Sequence, residues 1–419
     1  MSGIECKILI KRFLCIFLIS IFLVSSFGCE KKGLITEKYH SDFYRVPKLL
    51  TDSSMEKNPR FIIYGDSQFG WRIKEKFLKR ENWLTWKMLI FPFYEVYWLG
   101  NGVIGGVNRL RHVPDYGSRE RRMVRYAIYT EAKQSGVDFI FHIGDMPDDG
   151  RRPSDWAMFL NENKKDPPLV SDFPFFTSIG NHEKANDSNY GLPNYKAIFE
   201  HPRFYVLDFP DAAIFVVDSN LILDQYKFID DDRQDALFQK WFVSGEHSEN
   251  PSWLERELAS RNKLFKIVVM HHPPISFGRH HTDWTKPKWG RDLQQKRQQL
   301  LDLFHQQGVK AVFSGHEHIY EHSIIRYPAH ADRGESKIHI IIGSGGGVPL
   351  RRSSDAKKVE KFRQSYRAEG LDVVMMKQEE INHYCLVDIA SDKITIQVLE
   401  VPEKPKQPVR LADRILIPK

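Results

Sequence analysis

Residues 175–183 read FFTSIGNHE and residues 311–318 read AVFSGHEH. In both, a short β-prone run stops near a glycine and gives way at once to amide, imidazole and carboxylate side chains, as expected where a strand ends and the chain turns sharply. Working outward, the same grammar recurs. FIIY at 61–64 runs into Gly65-Asp66-Ser67-Gln68, FIFHI at 139–143 into Gly144-Asp145, and KIVVM at 266–270 into His271-His272-Pro273-Pro274. AIFVV at 213–217 and IHIII at 338–342 are further strands of the same kind. Between them lie helical periods: Met123, Ala127 and Ile128 before Gly136; Leu237, Phe238 and Trp241; Trp253, Leu254 and Leu258; Leu293, Leu300, Leu301 and Phe304 before Gly308. Strands alternating with helices predict a layered α/β domain. Ligands of open α/β sheets sit beyond the carboxyl ends of the strands, so these loops should converge. Together they bring Asp66, Asp145, Asn181, His271, His316 and His318. Mixed carboxylate, amide and imidazole donors suit Mn, Fe or Zn, and one carboxylate can bridge two such ions.

Taken singly, the fragments are weak: Gly-Asp is common in turns and a lone histidine usually serves packing. A preset string such as GNHE occurs by chance in about one chain of this length in several hundred, and GHEH about as rarely. Both in one chain, each behind a strand, carry the reading.

The ordered set GD, GD, GNHE, H and GHEH resembles the calcineurin-like metallophosphoesterase superfamily, nearest in flavour to its purple acid phosphatase branch. The resemblance runs from about Arg60 to Val401. It implies a four-layer α/β/β/α sandwich holding two divalent or trivalent metal ions, and phosphoester hydrolysis by a hydroxide held between them. Carried over by position, Asp145 would bridge the ions, Asn181, His271 and His316 would complete one, and Asp66 and His318 would bind the other. His182 would stand beside the leaving group, and His280 or His281 of ISFGRHH would contact substrate. Two positions depart from the family pattern. Gln68 stands where most members have histidine, and Asp148 stands where the purple branch has tyrosine, so Gln68 and Asp148 are both left as candidates for the first metal site. A non-catalytic member that keeps the fold is the alternative from another functional class.

The chain has 419 residues, 42% of them hydrophobic and 13% aromatic, with 26 Gly and 22 Pro. That composition excludes disordered and collagen-like classes. Three of the four cysteines (Cys6, Cys15 and Cys29, against Cys385) fall in the first 29 residues, which excludes a disulfide framework. Lys7, Lys11 and Arg12 precede an uncharged stretch of 16 residues, FLCIFLISIFLVSSFG, the form of a signal-peptide core. Ser25, Ser26 and Gly28 lead into Cys29, which resembles a lipoprotein cleavage site with Cys29 acylated, although Ser26 replaces the usual leucine; plain cleavage and a retained anchor are the other readings. The expectation is an exported, envelope-located, lipid-anchored protein. Its organisation reads as a leader at 1–28, a polar tether at 29–59, the metallophosphoesterase domain at 60–402 and a C-terminal tail at 403–419.

The net charge of +7 is local. Residues 71–125 hold twelve basic and five acidic residues, so they carry all of it. This stretch reads as an aromatic, basic insertion, with Trp83, Trp86, Phe91, Phe93, Tyr94, Tyr97 and Trp98 close together. Three roles remain open for it: a membrane-surface patch, since such residues favour lipid headgroups; a specificity lid; and a small satellite subdomain. Pro92, Glu95, Gly100 and Asn101 break any apolar run near 18 residues, which argues against a transmembrane hairpin. The expected partners are a small-molecule or lipid phosphoester and a membrane surface, with no nucleic acid.

Overall fold

The computed structural model describes residues 32–35, 56–70, 117–184, 189–199, 201–223, 231–245, 250–285, 293–328, 335–403 and 407–419. The leader, Cys29, the tether up to residue 55 apart from residues 32–35, and the aromatic stretch 71–116 lie outside the described residues. No helix among the described residues is long and apolar enough to cross a membrane.

In chain order the elements are β1 (Arg60–Tyr64), α1 (Ser118–Ser135), β2 (Phe139–His142), α2 (Pro153–Lys165), α3 (Leu169–Asp172), β3 (Phe175–Thr177) and α4 (Gly191–Ile198). Then come β4 (Tyr205–Asp208), β5 (Ala212–Val216), α5 (Asn220–Leu223), α6 (Asp231–Trp241), α7 (Trp253–Ala259), β6 (Phe265–Val269) and α8 (Leu293–Gln306). The rest are β7 (Val309–Ser314), β8 (Tyr320–Tyr327), β9 (Ser336–Gly343), α9 (Ala356–Ala368), β10 (Asp372–Glu379), β11 (His383–Ile389), β12 (Lys393–Glu400) and β13 (Arg410–Pro418).

The strands form two mixed sheets, β13-β12-β11-β1-β2-β3 and β10-β8-β9-β7-β6-β5-β4. Side chains alternate across a strand, so a strand apolar on both faces feeds two cores. In β1, Phe61 and Ile63 enter the core between the sheets, while Ile62 and Tyr64 face Val124 and Ile128 of α1 and Phe159 of α2. In β6, Ile267 and Val269 join the same inter-sheet core, and Val268 packs with Leu254 of α7 and Leu300 of α8. The result is helices, sheet, sheet, helices, the four-layer sandwich expected from the sequence. Each such fully buried Phe, Ile or Val contributes about 1.5–3 kcal/mol.

Parallel pairing of β1 with β2 and of β2 with β3 aligns their carboxyl ends, as does pairing of β5, β6, β7 and β9. Those ends carry the site.

Residues 353–380 hold α9 and the edge strand β10. β11 lies inside its sheet, pairing with β1 and β12. Two sequence readings change. Most of the supposed tail is β13, paired antiparallel with β12, where Ile415 and Ile417 alternate inward. The insertion also ends earlier than residue 125, because α1 starts at Ser118. Arg121 lies over the Phe69 ring at 4.6 Å, and buried Arg125 pairs with Glu162 at 2.7 Å. Residues 71–116 then hold eight basic and four acidic residues, a net +4.

Candidate metal centre

The strand-end turns are forced into conformations that side chains rarely adopt. Asp66 (φ 60°), Gln68 (φ 41°), Asp145 (φ 60°), His316 (φ 76°) and His318 (φ 56°) all lie in the left-handed region. For non-glycine residues this costs on the order of 1–3 kcal/mol each, and such strain gathers at functional sites. The turns are held from behind. Buried Glu183 accepts hydrogen bonds from the backbone N–H of Asp145 (2.9 Å), Met146 (2.7 Å) and Gly180 (2.6 Å), tying the end of β2 to that of β3. The N–H of His316 donates to Asp66 Oδ1 at 3.0 Å, tying β7 to β1. Gly180 is needed for close approach, since a Cβ there would stand 2.2 Å from Asp145 Oδ1.

The side chains so placed form two groups that share a member. Asp145, His271 and His316 bring donor atoms within 4.8 Å of one another, and so do Asp66, Asp145 and His318. Asn181 Oδ1 joins the first group, 2.9 Å from His316 Nδ1 and 3.2 Å from His271 Nε2. Gln68 joins the second: its amide nitrogen lies 3.2 Å from both Asp145 Oδ2 and His318 Nε2. Asp148 does not; its carboxylate turns to Arg152 at 3.7 Å and His182 at 3.8 Å. Of the two candidates left by the sequence, the geometry puts Gln68 with the cluster.

The charges of these groups are strongly coupled. Burial raises Asp66 well above the usual carboxylate range, reinforced by the charge of Asp145 and opposed by His271. Burial also works against a charge on Asp145, but the adjoining His271 and His182 overcome it and hold Asp145 well below that range. For His271, burial disfavours the imidazolium, yet Asp145 and Asp66 lift it to about 10. Protons thus neutralise what a metal would neutralise, and metal ligation displaces such protons. A further mark of fit is Gln68 Oε1, a buried oxygen with no hydrogen-bond partner among the described residues. Turning the amide end for end would aim that oxygen at the shared donors. Two carboxylates, two amides and three imidazoles are a donor set that suits a pair of borderline ions.

The neighbouring histidines part company. His182 donates its backbone N–H to Asp145 Oδ1 at 2.8 Å, and its Nδ1 bonds the Asp148 carbonyl at 2.5 Å, which leaves Nε2 beside the shared carboxylate. The His280 ring lies 4.2 Å from that of His316. The His281 ring instead stacks on Phe362 at 3.6 Å, away from the cluster. The sequence reading missed Asp283, whose Oδ2 is 2.9 Å from His316 Nε2 and 3.2 Å from His280 Nδ1. Burial would raise its pKa, but the two imidazole hydrogen bonds drive it well below the usual range. A carboxylate on the far nitrogen of a ligating histidine fixes its tautomer and orientation. No glycine or histidine string flags Asp283; its only sequence signal is its place three residues after His280.

An α/β/β/α sandwich with these donors at converging strand ends defines a fold built around a candidate metal-ligand cluster. The family model of the calcineurin-like phosphoesterases matches residues 108–320, and the chain belongs to that family. Acid phosphatase type 7 of Mus musculus is 26% identical over 322 residues, 71% of this chain and 63% of its own length. A protein named as a probable glycerophosphodiester phosphodiesterase, from Arcobacter nitrofigilis, is 26% identical over 184 residues, 43% of this chain and 56% of its own length. The chain thus spans less than two thirds of either relative. A purple acid phosphatase from yellow lupin (Lupinus luteus) seeds shares the fold, with a TM-score of 0.51 at 14% identity, covering 90% of this chain and 55% of its own.

Proposed function

We propose that the chain is a metal-dependent hydrolase of phosphoesters that works in the cell envelope. The observation that carries the reading is Asp145, one buried carboxylate common to two ligand groups. Asn181, His271 and His316 with Asp145 would hold one ion; Asp66, Gln68 and His318 with Asp145 would hold the other. Such ions, when bound, supply charge neutralisation at the phosphoryl oxygens and acidify water into a nucleophile near neutral pH.

The chain's own side chains do the rest. The His182 ring is fixed by its bond to the Asp148 carbonyl, so its Nε2 is the atom able to pass a proton or hydrogen bond to the leaving oxygen. His280, held through Nδ1 by Asp283, presents Nε2 to a substrate phosphoryl oxygen. Buried Glu183 and Glu317 support both loops: Glu183 grips the Asp145 turn, and Glu317 accepts the N–H of His280 at 3.0 Å. The basic leader, its uncharged run and Cys29 support export and lipid anchoring. Loss of the protein from membrane fractions on Cys29→Ala would test that placement.

The deciding experiment loads metal-depleted protein with Mn, Zn or Fe and follows p-nitrophenol release from p-nitrophenyl phosphate and bis(p-nitrophenyl) phosphate. Turnover that needs metal supports the reading. Two bound ions without turnover on either ester would replace it with the non-catalytic binding protein.

A further inference from the structure

Most half-buried and buried arginines among the described residues meet acids. Arg125 pairs with Glu162 at 2.7 Å, Arg203 with Asp218 at 2.6 Å, Arg297 with Glu369, and Arg152 faces Asp148, Asp149 and Asp155 at 3.7 Å. Arg351 is different. Its side chain is half-buried, its Nε is enclosed without a hydrogen-bond partner, and no ion pair satisfies its charge among the described residues. A guanidinium left this way costs free energy unless something else completes it.

Its position is fixed by the metal-ligand loops. After β9 the chain runs through Ser344-Gly345-Gly346-Gly347, and the N–H of Gly346 donates to the Gly65 carbonyl at 2.9 Å, directly before Asp66. No side chain fits at Gly346, where a Cβ would stand 2.3 Å from that oxygen. Five residues after Gly346, the N–H of Arg351 donates to the His318 carbonyl at 3.0 Å. Arg351 is therefore bound by backbone to one candidate ligand and, through the glycine turn, to the neighbour of another.

Arg279 comes to the same rim from the other side. A Cβ at Gly278 would meet Glu317 Oε2 at 2.5 Å, and the His280 N–H donates to the same carboxylate, so the exposed Arg279 sits between two pinned residues. The two guanidinium charges repel: after burial, Arg279 is the largest influence lowering Arg351, and Glu317 is the one carboxylate acting on it in return. Glu317 is already occupied by Ser276 Oγ at 2.6 Å and the His280 N–H. Planar forks of this kind match phosphoryl oxygens two at a time.

We propose that Arg279 and Arg351 form a second anion subsite beside the metal-ligand cluster, selecting phosphoesters that carry another phosphoryl group next to the scissile one. This rests on the phosphoesterase reading for its biological sense, but the subsite is testable without turnover. The probes are inorganic phosphate and methylenediphosphonate, which has two phosphoryl groups joined by a bond the site cannot cleave, titrated calorimetrically into the metal-loaded full chain. The ratio of the two affinities is the readout, because chelation of the ions by either probe is common to every variant. In the unmodified protein diphosphonate should bind at least about tenfold tighter. Arg351→Ala should collapse that ratio by about 10- to 100-fold, the worth of one to two charged hydrogen bonds. Arg351→Lys, which keeps the charge but not the fork, should fall between, and Arg279→Ala should lower the ratio less. An equal loss on both probes, or an unchanged ratio in Arg351→Ala, overturns the subsite. Failure of the wild type to release p-nitrophenol would overturn the hydrolase reading instead, and a diphosphonate preference that depends on Arg351 would survive it.

Discussion

Replacing Glu183 by alanine removes no metal donor and should still weaken metal binding. Its carboxylate is the common acceptor for three backbone N–H groups, those of Asp145, Met146 and Gly180. In Glu183→Ala these donors stay enclosed and unpaired, at about 1–3 kcal/mol each, so roughly 6 kcal/mol for the three. Against that, the wild type pays for a carboxylate that burial and the charge of Asp145 raise to about 7. Relieving this returns about 3 kcal/mol at neutral pH. The net expectation is a loss of about 3 kcal/mol in urea unfolding. Glu183→Gln keeps an acceptor oxygen and the shape, so it should lose about half as much. The functional consequence follows from the φ of 60° at Asp145: without its clamp the strained turn relaxes, and metal affinity should fall about 10- to 100-fold, as for other lost supports of a ligand. Urea titration and calorimetric metal binding at pH 7 measure both. If Glu183→Ala unfolds within about 1 kcal/mol of wild type and binds metal unchanged, the clamp argument is wrong.

Other outcomes follow from the same geometry. Asp145→Asn should leave fewer than two ions bound per chain by elemental analysis and lower turnover by more than about 100-fold, beyond what losing a supporting residue costs; full occupancy would mean the carboxylate is not shared. Because His271 sits near 10, it is protonated at pH 7 in the metal-free protein. Metal uptake there should release about one proton per chain from His271, and affinity should weaken as pH falls, since protons then compete for the same donors, the raised Asp66 among them; titrations in buffers of different ionisation enthalpy count them, and no release would contradict the assignment. Asp283→Asn should reduce affinity for one ion by about tenfold and leave the other ion's affinity intact, because Asp283 reaches His316 and not His318; equal weakening of both ions would make Asp283 merely structural.

How much of this was readable beforehand differs by level. The inner strands were legible because β1, β2, β6 and β9 are apolar on both faces and show as unbroken runs. The order of strands in two separate sheets was not, since no local pattern says which run pairs with which. β13 was missed because an edge strand needs only one apolar face, and its Arg410, Asp413 and Arg414 look like a solvated tail. Arg121 and Arg125 read as surface charge, but one lies over Phe69 and the other meets Glu162, contacts between residues 37 or more positions apart in sequence.

The donors were legible for a different reason: at this site residue type is set by chemistry. At Asp66, Gln68, Asp145, His316 and His318 the backbone asks for glycine and the sequence supplies a donor instead. Five positions at on the order of 1–3 kcal/mol each exceed what one loop could absorb, so the strain has to be met by several elements at once. The Glu183 bonds to β2 and β3 turns and the His316 bond to Asp66 are that support. A strand end with glycine and then a donor is visible in sequence, but the carboxylates that hold it, Glu183 and Glu317, look like ordinary members of the GNHE and GHEH strings. Their acceptor role appears only when the strand ends are brought together, which is also why Asp283, outside any string, could be found only in three dimensions.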